Sequence, residues 1–199
     1  MICPICKKKM IEKKALNKPL YYCSDCNFLT KGKTVSETLE KNRYDSHVCD
    51  AGYLEYMQRV FTKIEPYIKG NKILDFGCGK IHALANILKE NNYDSFYYDK
   101  YYFANPLEDK YSTIILIEVI EHILDVEELF TLLLKHLDIN GRLIIMTNFI
   151  PSDISNWWYL RDITHINFYS ITAFKSLAKR YGFKLVFNDD KSLVVLEKL

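Results

Sequence analysis

Three ionisable side chains interrupt an apolar run at residues 115–123, ILIEVIEHI, where Glu118, Glu121 and His122 occupy relative positions i, i+3 and i+4. On a helix these positions share one face. Two carboxylates and an imidazole aimed at one point suit a hard or borderline divalent ion such as Mg2+, Mn2+ or Zn2+. Without an ion, His122 is a candidate general base with Glu121 beside it. A salt-bridged surface, or acids placed at a helix N-terminus on dipole grounds, would explain the same pattern with no chemistry. A second imidazole, His165, lies in NWWYLRDITHINFYS (156–170) after Arg161 and Asp162. It is a further base candidate and completes a four-ligand set of Glu118, Glu121, His122 and His165.

Two other constellations stand out. Cys3-Pro-Ile-Cys6 and Cys23-Ser-Asp-Cys26 are two CxxC knuckles separated by sixteen residues. That spacing fits a tetrahedral four-thiolate zinc site with a hairpin between the knuckles, and a segment of this size depends on its metal to fold. Cys49 and Cys78 fall outside the pattern and are expected to be free. The second constellation is Ile73-Leu74-Asp75-Phe76-Gly77-Cys78-Gly79. Its glycines allow a sharp turn and close approach of a ligand at the carboxyl end of a strand. Asp99, twenty residues after Gly79, can accept a pair of ribose hydroxyls. A dinucleotide fingerprint would need glycine at position 82, where His82 stands, so a nicotinamide cofactor is disfavoured.

The elements that must position these groups follow from periodicity and turn signals. Thr34-Val-Ser-Glu37 reads as a capping box opening a linking helix. Apolar residues at 54, 57, 60, 61, 64 and 68 describe an amphipathic helix ending near Gly70. Strands are expected at 72–76, 95–99, 112–117 and 142–147, the last entered by a turn at Asn140-Gly141. Helices are expected at about 80–91, 120–137 and 171–181, with closing strands at 183–188 and 192–197. Alternating strands and helices imply an α/β, doubly wound, mostly parallel Rossmann-like sheet. The organisation is a zinc ribbon (1–33), linker and N-terminal helices (34–70), and an α/β domain (71–199).

Charge is unevenly spread. Residues 1–33 carry eight lysines against Glu12 and Asp25, a net +6, whereas the whole chain of 199 residues carries only +2. Such a segment can meet an anionic partner such as RNA, or simply present a solvated face. The longest apolar run is broken by Glu118, Glu121 and His122, which argues against a membrane span. With no secretory pattern at the start, the protein is expected to be cytoplasmic.

From about residue 50 onward the chain resembles the class I S-adenosylmethionine-dependent methyltransferases. Their signature appears as Asp75-x-Gly77-x-Gly79, with the ribose acid at Asp99, and residues 111–149 look like their fourth strand, following helix and fifth strand. The resemblance implies S-adenosylmethionine bound by Asp75, Gly77, Cys78, Gly79, Asp99 and Ile117. Such enzymes commonly fold an N-terminal segment over the cofactor, which makes Arg43, Tyr44, His47 and Tyr53 candidates for its carboxylate end. The chain departs from the pattern at Ile81, where a third glycine is usual. It departs again in the twelve residues between Asp99 and Ser112, too few for a helix and third strand. The acid that normally contacts adenine has no clear counterpart; Glu108 and Asp109 are the nearest.

The E-x-x-E-H pattern is similar to the metal motif of small-RNA 2′-O-methyltransferases and of ubiquinone-biosynthesis O-methyltransferases. Zinc-containing rRNA guanine methyltransferases also join a cysteine-rich N-terminus to this fold. The resemblance therefore implies methyl transfer from S-adenosylmethionine to an oxygen or nitrogen, possible assistance by a second divalent ion beside the structural zinc, and a small-molecule acceptor. An RNA methyltransferase and a non-catalytic zinc-ribbon adaptor are the alternatives. The sequence assigns no oligomeric state.

Overall fold

A computed structural model describes residues 1–15 and 18–199. The N-terminal strands are β1 (Ile11–Ala15), β2 (Lys18–Cys23) and β3 (Phe28–Thr30), followed by helices α1 (Glu37–Asp45) and α2 (Ala51–Ile64). Then come β4 (Lys72–Phe76), α3 (Ala83–Glu90), β5 (Asp94–Tyr98), β6 (Tyr111–Ile117), α4 (Val126–His136) and β7 (Leu137–Met146). The chain closes with β8 (Asn167–Phe168), α5 (Ile171–Tyr181), β9 (Phe183–Asn188) and β10 (Leu193–Lys198).

A six-stranded sheet in the order β5-β4-β6-β7-β10-β9 forms the centre. Strands β5, β4, β6 and β7 are mutually parallel, and β10 runs antiparallel to both β7 and β9. The central strands are predominantly apolar because both faces are covered, with Asp75 and Thr113 as buried polar exceptions. Ile73, Ile115, Ile144 and Val195 pack under α2 and α3, whereas Leu74, Ile114, Leu143 and Leu196 pack under α4 and α5. Between β4 and β6 the chain order reverses, which opens a crevice at the carboxyl ends of these strands. The short segment between Asp99 and Tyr111 adds no strand, so β5 is the sheet's edge, as the spacing implied.

Several local expectations are corrected. Residues 120–137 do not form one helix: Ile120–His122 is a separate 3-10 turn, and α4 begins only at Val126, where the Asp125 carboxylate accepts the Glu128 N–H at 2.9 Å. A stronger cap downstream thus breaks the apolar run into turn and helix. α1 is capped by Ser36 and not by Thr34, with the Ser36 hydroxyl accepting the Leu39 N–H. Asn140-Gly141 does not separate helix from strand but sits inside β7, where the pairing jumps from Tyr111–Leu137 to Thr113–Arg142 and Asn140 takes φ +59°. By contrast, α5 spans the expected residues and stops at Gly182, whose φ of +71° suits a C-terminal cap.

A second, four-stranded sheet has the order β1-β2-β3-β8. Strands β1 and β2 form the hairpin between the cysteine knuckles, and its tip at Leu16 and Asn17 lies outside the described residues. β8 comes from the long connection after β7 and pairs with β3 through Leu29–Phe168 and Thr30–Asn167. The N-terminal piece also packs on the helical face: Arg180 of α5 donates to the Pro4 and Ile5 carbonyls at 2.8 Å. Ser170 caps α5 by accepting the Ala173 N–H and donates to the Cys26 carbonyl, both at 3.2 Å. Ser170→Ala should therefore cost about 1–2 kcal/mol, the value of a lost cap and a buried hydrogen bond. Urea denaturation measures it, and an unchanged midpoint would show that neither bond contributes.

Candidate active site

The glycine turn leaves β4 at the crevice. Gly77 has φ +79°, and a side-chain carbon there would lie 2.4 Å from the Val119 methyl, so only glycine fits. Gly79 has φ +67° with nothing within 4 Å of the corresponding position, which leaves its backbone open to a ligand. Asp99 organises both sides of this opening. One carboxylate oxygen accepts the Gly79 N–H at 3.0 Å, and the other accepts the Tyr101 N–H at 2.8 Å. Asp75 is buried beneath the turn, and burial, reinforced by the Asp99 charge, raises its carboxyl to about 7.

One cavity of about 740 Å³ joins these groups to part of the ionisable cluster, while Glu121, fully buried, is not among its lining residues. Asp75, Gly77, Cys78, Gly79, Asp99 and Ile117 line one part of it, and Glu118, His122 and His165 line another. Arg43, Tyr44, His47 and Tyr53 also border it, contributed by α1, α2 and their connection. Ile81 occupies the rim where a third glycine was absent; Glu108 and Asp109 are not among the lining residues.

The ionisable cluster is not helical. Glu118 follows β6 with φ +52°, a left-handed conformation unfavourable for a side chain of this kind, and its N–H bonds the Met146 carbonyl at 2.8 Å. The tight turn then carries Glu121 and His122. Candidate ligand atoms of Glu121, His122 and His165 all lie within 4.8 Å of one another, and Glu118 falls outside that group. Its carboxylate instead meets the Tyr159 hydroxyl at 2.9 Å, which also contacts Glu121 Oε1 at 2.5 Å and Thr147 Oγ1 at 3.1 Å. A phenol has one proton to give. The second carboxyl contact therefore requires a protonated acid, in keeping with Glu121, whose carboxyl burial and the neighbouring Glu118 charge push up to about 8.

Both imidazoles are held neutral. Burial depresses His122 to about 3 and His165 to about 4. His122 Nδ1 donates to the Thr164 carbonyl at 3.1 Å and His165 Nδ1 donates to the Tyr159 carbonyl at 2.9 Å. A carbonyl only accepts, so the proton sits on Nδ1 and the lone pair on Nε2 in each ring. Glu121 is 0% exposed, and its Oε2 has no hydrogen-bond partner among the described residues. His122 Nε2 stands 3.9 Å from Glu121 Oε1, and a carboxylate with a free oxygen and two fixed Nε2 lone pairs are residues that could hold a divalent cation, with supporting bonds of the kind that orient such ligands.

The four ribbon cysteines also converge, with all sulfurs within 4.8 Å and Cys6 and Cys23 3.5 Å apart. Tetrahedral thiolates on zinc stand about 3.8 Å from each other. Burial pushes the Cys3 thiol up to about 11 and Cys26 higher still, so ionising the set calls for a compensating cation. Cys49 and Cys78 form no disulfide.

Some functional geometry had no assigned role in the sequence reading. Tyr159 was one aromatic residue among several in the loop, yet it contacts both acids and, through its carbonyl, His165. Glu40 accepts from Lys100, Tyr101 and Tyr44, fastening α1 over the cavity. The helix carries no apolar stripe, and Glu40 is its one buried residue, so no sequence signal marked it.

Residues 33–187 match the model of a family described as a methyltransferase domain. Among solved structures, TnmH superposes with a TM-score of 0.60 at 15% identity, over 84% of this chain and 62% of that one. A SAM-dependent methyltransferase from Archaeoglobus fulgidus gives 0.57 at 15% identity, over 82% and 100%. Magnesium protoporphyrin IX methyltransferase from Synechocystis PCC 6803, with bound SAH, gives 0.52 at 15% identity, over 84% and 90%. At these identities the likeness is one of fold. No curated protein matches the chain.

Tyr159→Phe should leave Glu121 Oε1 without its hydroxyl partner in a dry site, costing about 1–3 kcal/mol of stability. Denaturant titration of the variant tests this; a loss below a few tenths would mean that the buried acid finds another donor.

Proposed function

The chain belongs to the methyltransferase-domain family and has its class I fold, and from this premise we propose that it transfers a methyl group from S-adenosylmethionine to an oxygen or nitrogen of a small molecule, with a divalent ion bound at Glu121, His122 and His165. The observation that supports the metal assignment is the convergence, within 4.8 Å, of two neutral imidazoles with Glu121, a buried carboxyl whose Oε2 has no partner among the described residues. Imidazoles held at about 3 and 4 accept protons poorly near neutrality, so they suit ligation better than general-base work.

Gly77 and Gly79 give the donor a backbone cradle, and Asp99 keeps spare lone pairs for the ribose hydroxyls. The acceptor's lone pair attacks the methyl carbon in line while the carbon–sulfur bond breaks, leaving S-adenosylhomocysteine, and the acceptor's proton departs to solvent or to a nearby carboxylate such as that of Glu118. Because the sulfonium already activates the methyl group, the protein's main contribution is alignment. A divalent ion, when bound, supplies a lowered acceptor pKa and a fixed acceptor oxygen. The cavity has the size of a small-molecule site. Trp158, 60% exposed, stands among its lining residues as an aromatic wall.

A small acceptor is favoured over RNA by the cavity's size, and three of the eight lysines in residues 1–33 are also engaged within the protein. Lys7 pairs with Glu127, Lys8 with Asp25, and Lys31 donates to the Asp162 carbonyl. The same proposal places one structural zinc on Cys3, Cys6, Cys23 and Cys26. Among the described residues no helix is long and apolar enough to cross a membrane.

Calorimetry should detect S-adenosylmethionine binding, and Asp99→Ala should weaken it by about 1.5–3 kcal/mol, the value of hydrogen bonds to a charged acceptor. A folded protein that binds none would remove the enzyme reading. Labelled methyl should appear in small phenols or amines from a mixed panel and not in added RNA. Separately, Mn2+ titration should show a second metal site that Glu121→Gln abolishes while S-adenosylmethionine affinity stays unchanged; equal Mn2+ binding by both proteins would eliminate the site.

A further inference from the structure

His165 is not carried by the central sheet. It lies on the connection between β7 and α5, and its neighbour Ile166 is bonded on both sides. The Ile166 N–H donates to the Glu121 carbonyl at 2.7 Å, and the Ile166 carbonyl accepts the Lys31 N–H at 2.9 Å. One residue thus joins the turn that holds Glu121 to the segment that leaves the cysteine ribbon. The link continues on either side. Thr30 and Leu29 of β3 pair with Asn167 and Phe168, while Lys31 Nζ donates to the Asp162 carbonyl at 2.6 Å. Asp162 in turn accepts from Thr164 through N–H and hydroxyl, and Thr164 supplies the carbonyl that fixes the His122 ring.

The interface beneath is closed and apolar. Phe28, Leu29, Phe168 and Tyr169 are each at most 1% exposed, and Phe28 meets Tyr169 edge to face with centroids 5.2 Å apart. Without β3, the short β8 would have no sheet partner and these rings would face water.

We propose that the ribbon serves as a supporting wall of the methyl-transfer site, with Lys31 as a positioning residue that holds the Asp162–Ile166 segment so that His165 and His122 face Glu121. The ribbon's fold, and through it the four cysteines, then sets the geometry of the second site some residues away in space and most of the chain away in sequence. The inference rests on the proposed function only for its metal-binding readout; the backbone readout is independent of it.

The test uses the full chain with the ribbon cysteines intact. Lys31→Met removes the ammonium tie to Asp162 but leaves every cysteine and every proposed ligand. Hydrogen exchange should accelerate about five- to tenfold across residues 162–168 while β6 remains as protected as before, since the ammonium's local contacts to this segment are lost and the core is untouched. Mn2+ affinity should fall about tenfold, the usual effect of losing a group that orients ligands. S-adenosylmethionine affinity should not move, and Lys31→Arg should restore both properties. In Cys23→Ser the same segment should be the first part of the α/β domain to lose protection. Unchanged exchange at 162–168, or a rise shared equally by β6, would overturn the proposal. If the native protein binds no Mn2+, the metal reading fails while the exchange result still decides whether the ribbon positions this segment.

Discussion

A carboxyl group removed from water must be neutralised or supplied with partners, and Glu121 is entirely removed. Leaving such a charge unpaired would cost several kcal/mol, so the surrounding chain is arranged around that demand. Tyr159 reaches one oxygen and also meets the Glu118 carboxylate, and two imidazoles approach from the turn and from the facing loop. To deliver Tyr159 and His165 together, the connection after β7 must fold back across the carboxyl edge of the sheet. That return leaves the backbone of residues 166–168 with bonding groups on its outer side. β3 is what receives them. Acid, loop and ribbon are successive answers to one desolvation problem.

The wall on the opposite side of the cavity has a different basis. α1 buries few apolar groups and is fastened by polar contacts: Glu40 to Lys100 and Tyr101, Asp45 to Tyr102, and Arg43 to Asp162. Burial would raise the Glu40 carboxyl, but Lys100 and Tyr101 more than offset this and keep it below its ordinary value. The helix is therefore attached through directional, partly hydrated bonds, which open at lower cost than a packed apolar seam.

Much of this was legible in the residues because the relevant signals are local. Strands β4 and β6 announce themselves as apolar runs, α5 by its period and its closing glycine, and the missing strand by the short interval after Asp99. The convergence of His165 on Glu121 and His122 also followed from chain order in this kind of sheet. What escaped was set by competition or by distance. Ser36 displaced Thr34 as a cap because the helix begins two residues later than the capping-box pattern implied. Glu118 left the ligand group because β6 ends by turning through a left-handed residue, which periodicity cannot show. Tyr159 looked like any loop aromatic, since its importance lies in which buried oxygens it meets. The β3–β8 pairing is two residues long and has no periodic signature.

That pairing also joins residues made at very different moments. Leu29 and Phe168 are 139 positions apart. At roughly 5–20 residues per second, synthesis separates them by about 7–28 s. The cysteine knuckles are complete by residue 26, so the ribbon can bring its four cysteines together long before the strand that covers its edge has emerged. During that interval β3 is an open strand edge on a growing chain. Its length of three residues limits what it can capture, because very short edges template poorly. The brevity that makes this contact hard to foresee is thus also what lets the nascent chain wait for its proper partner.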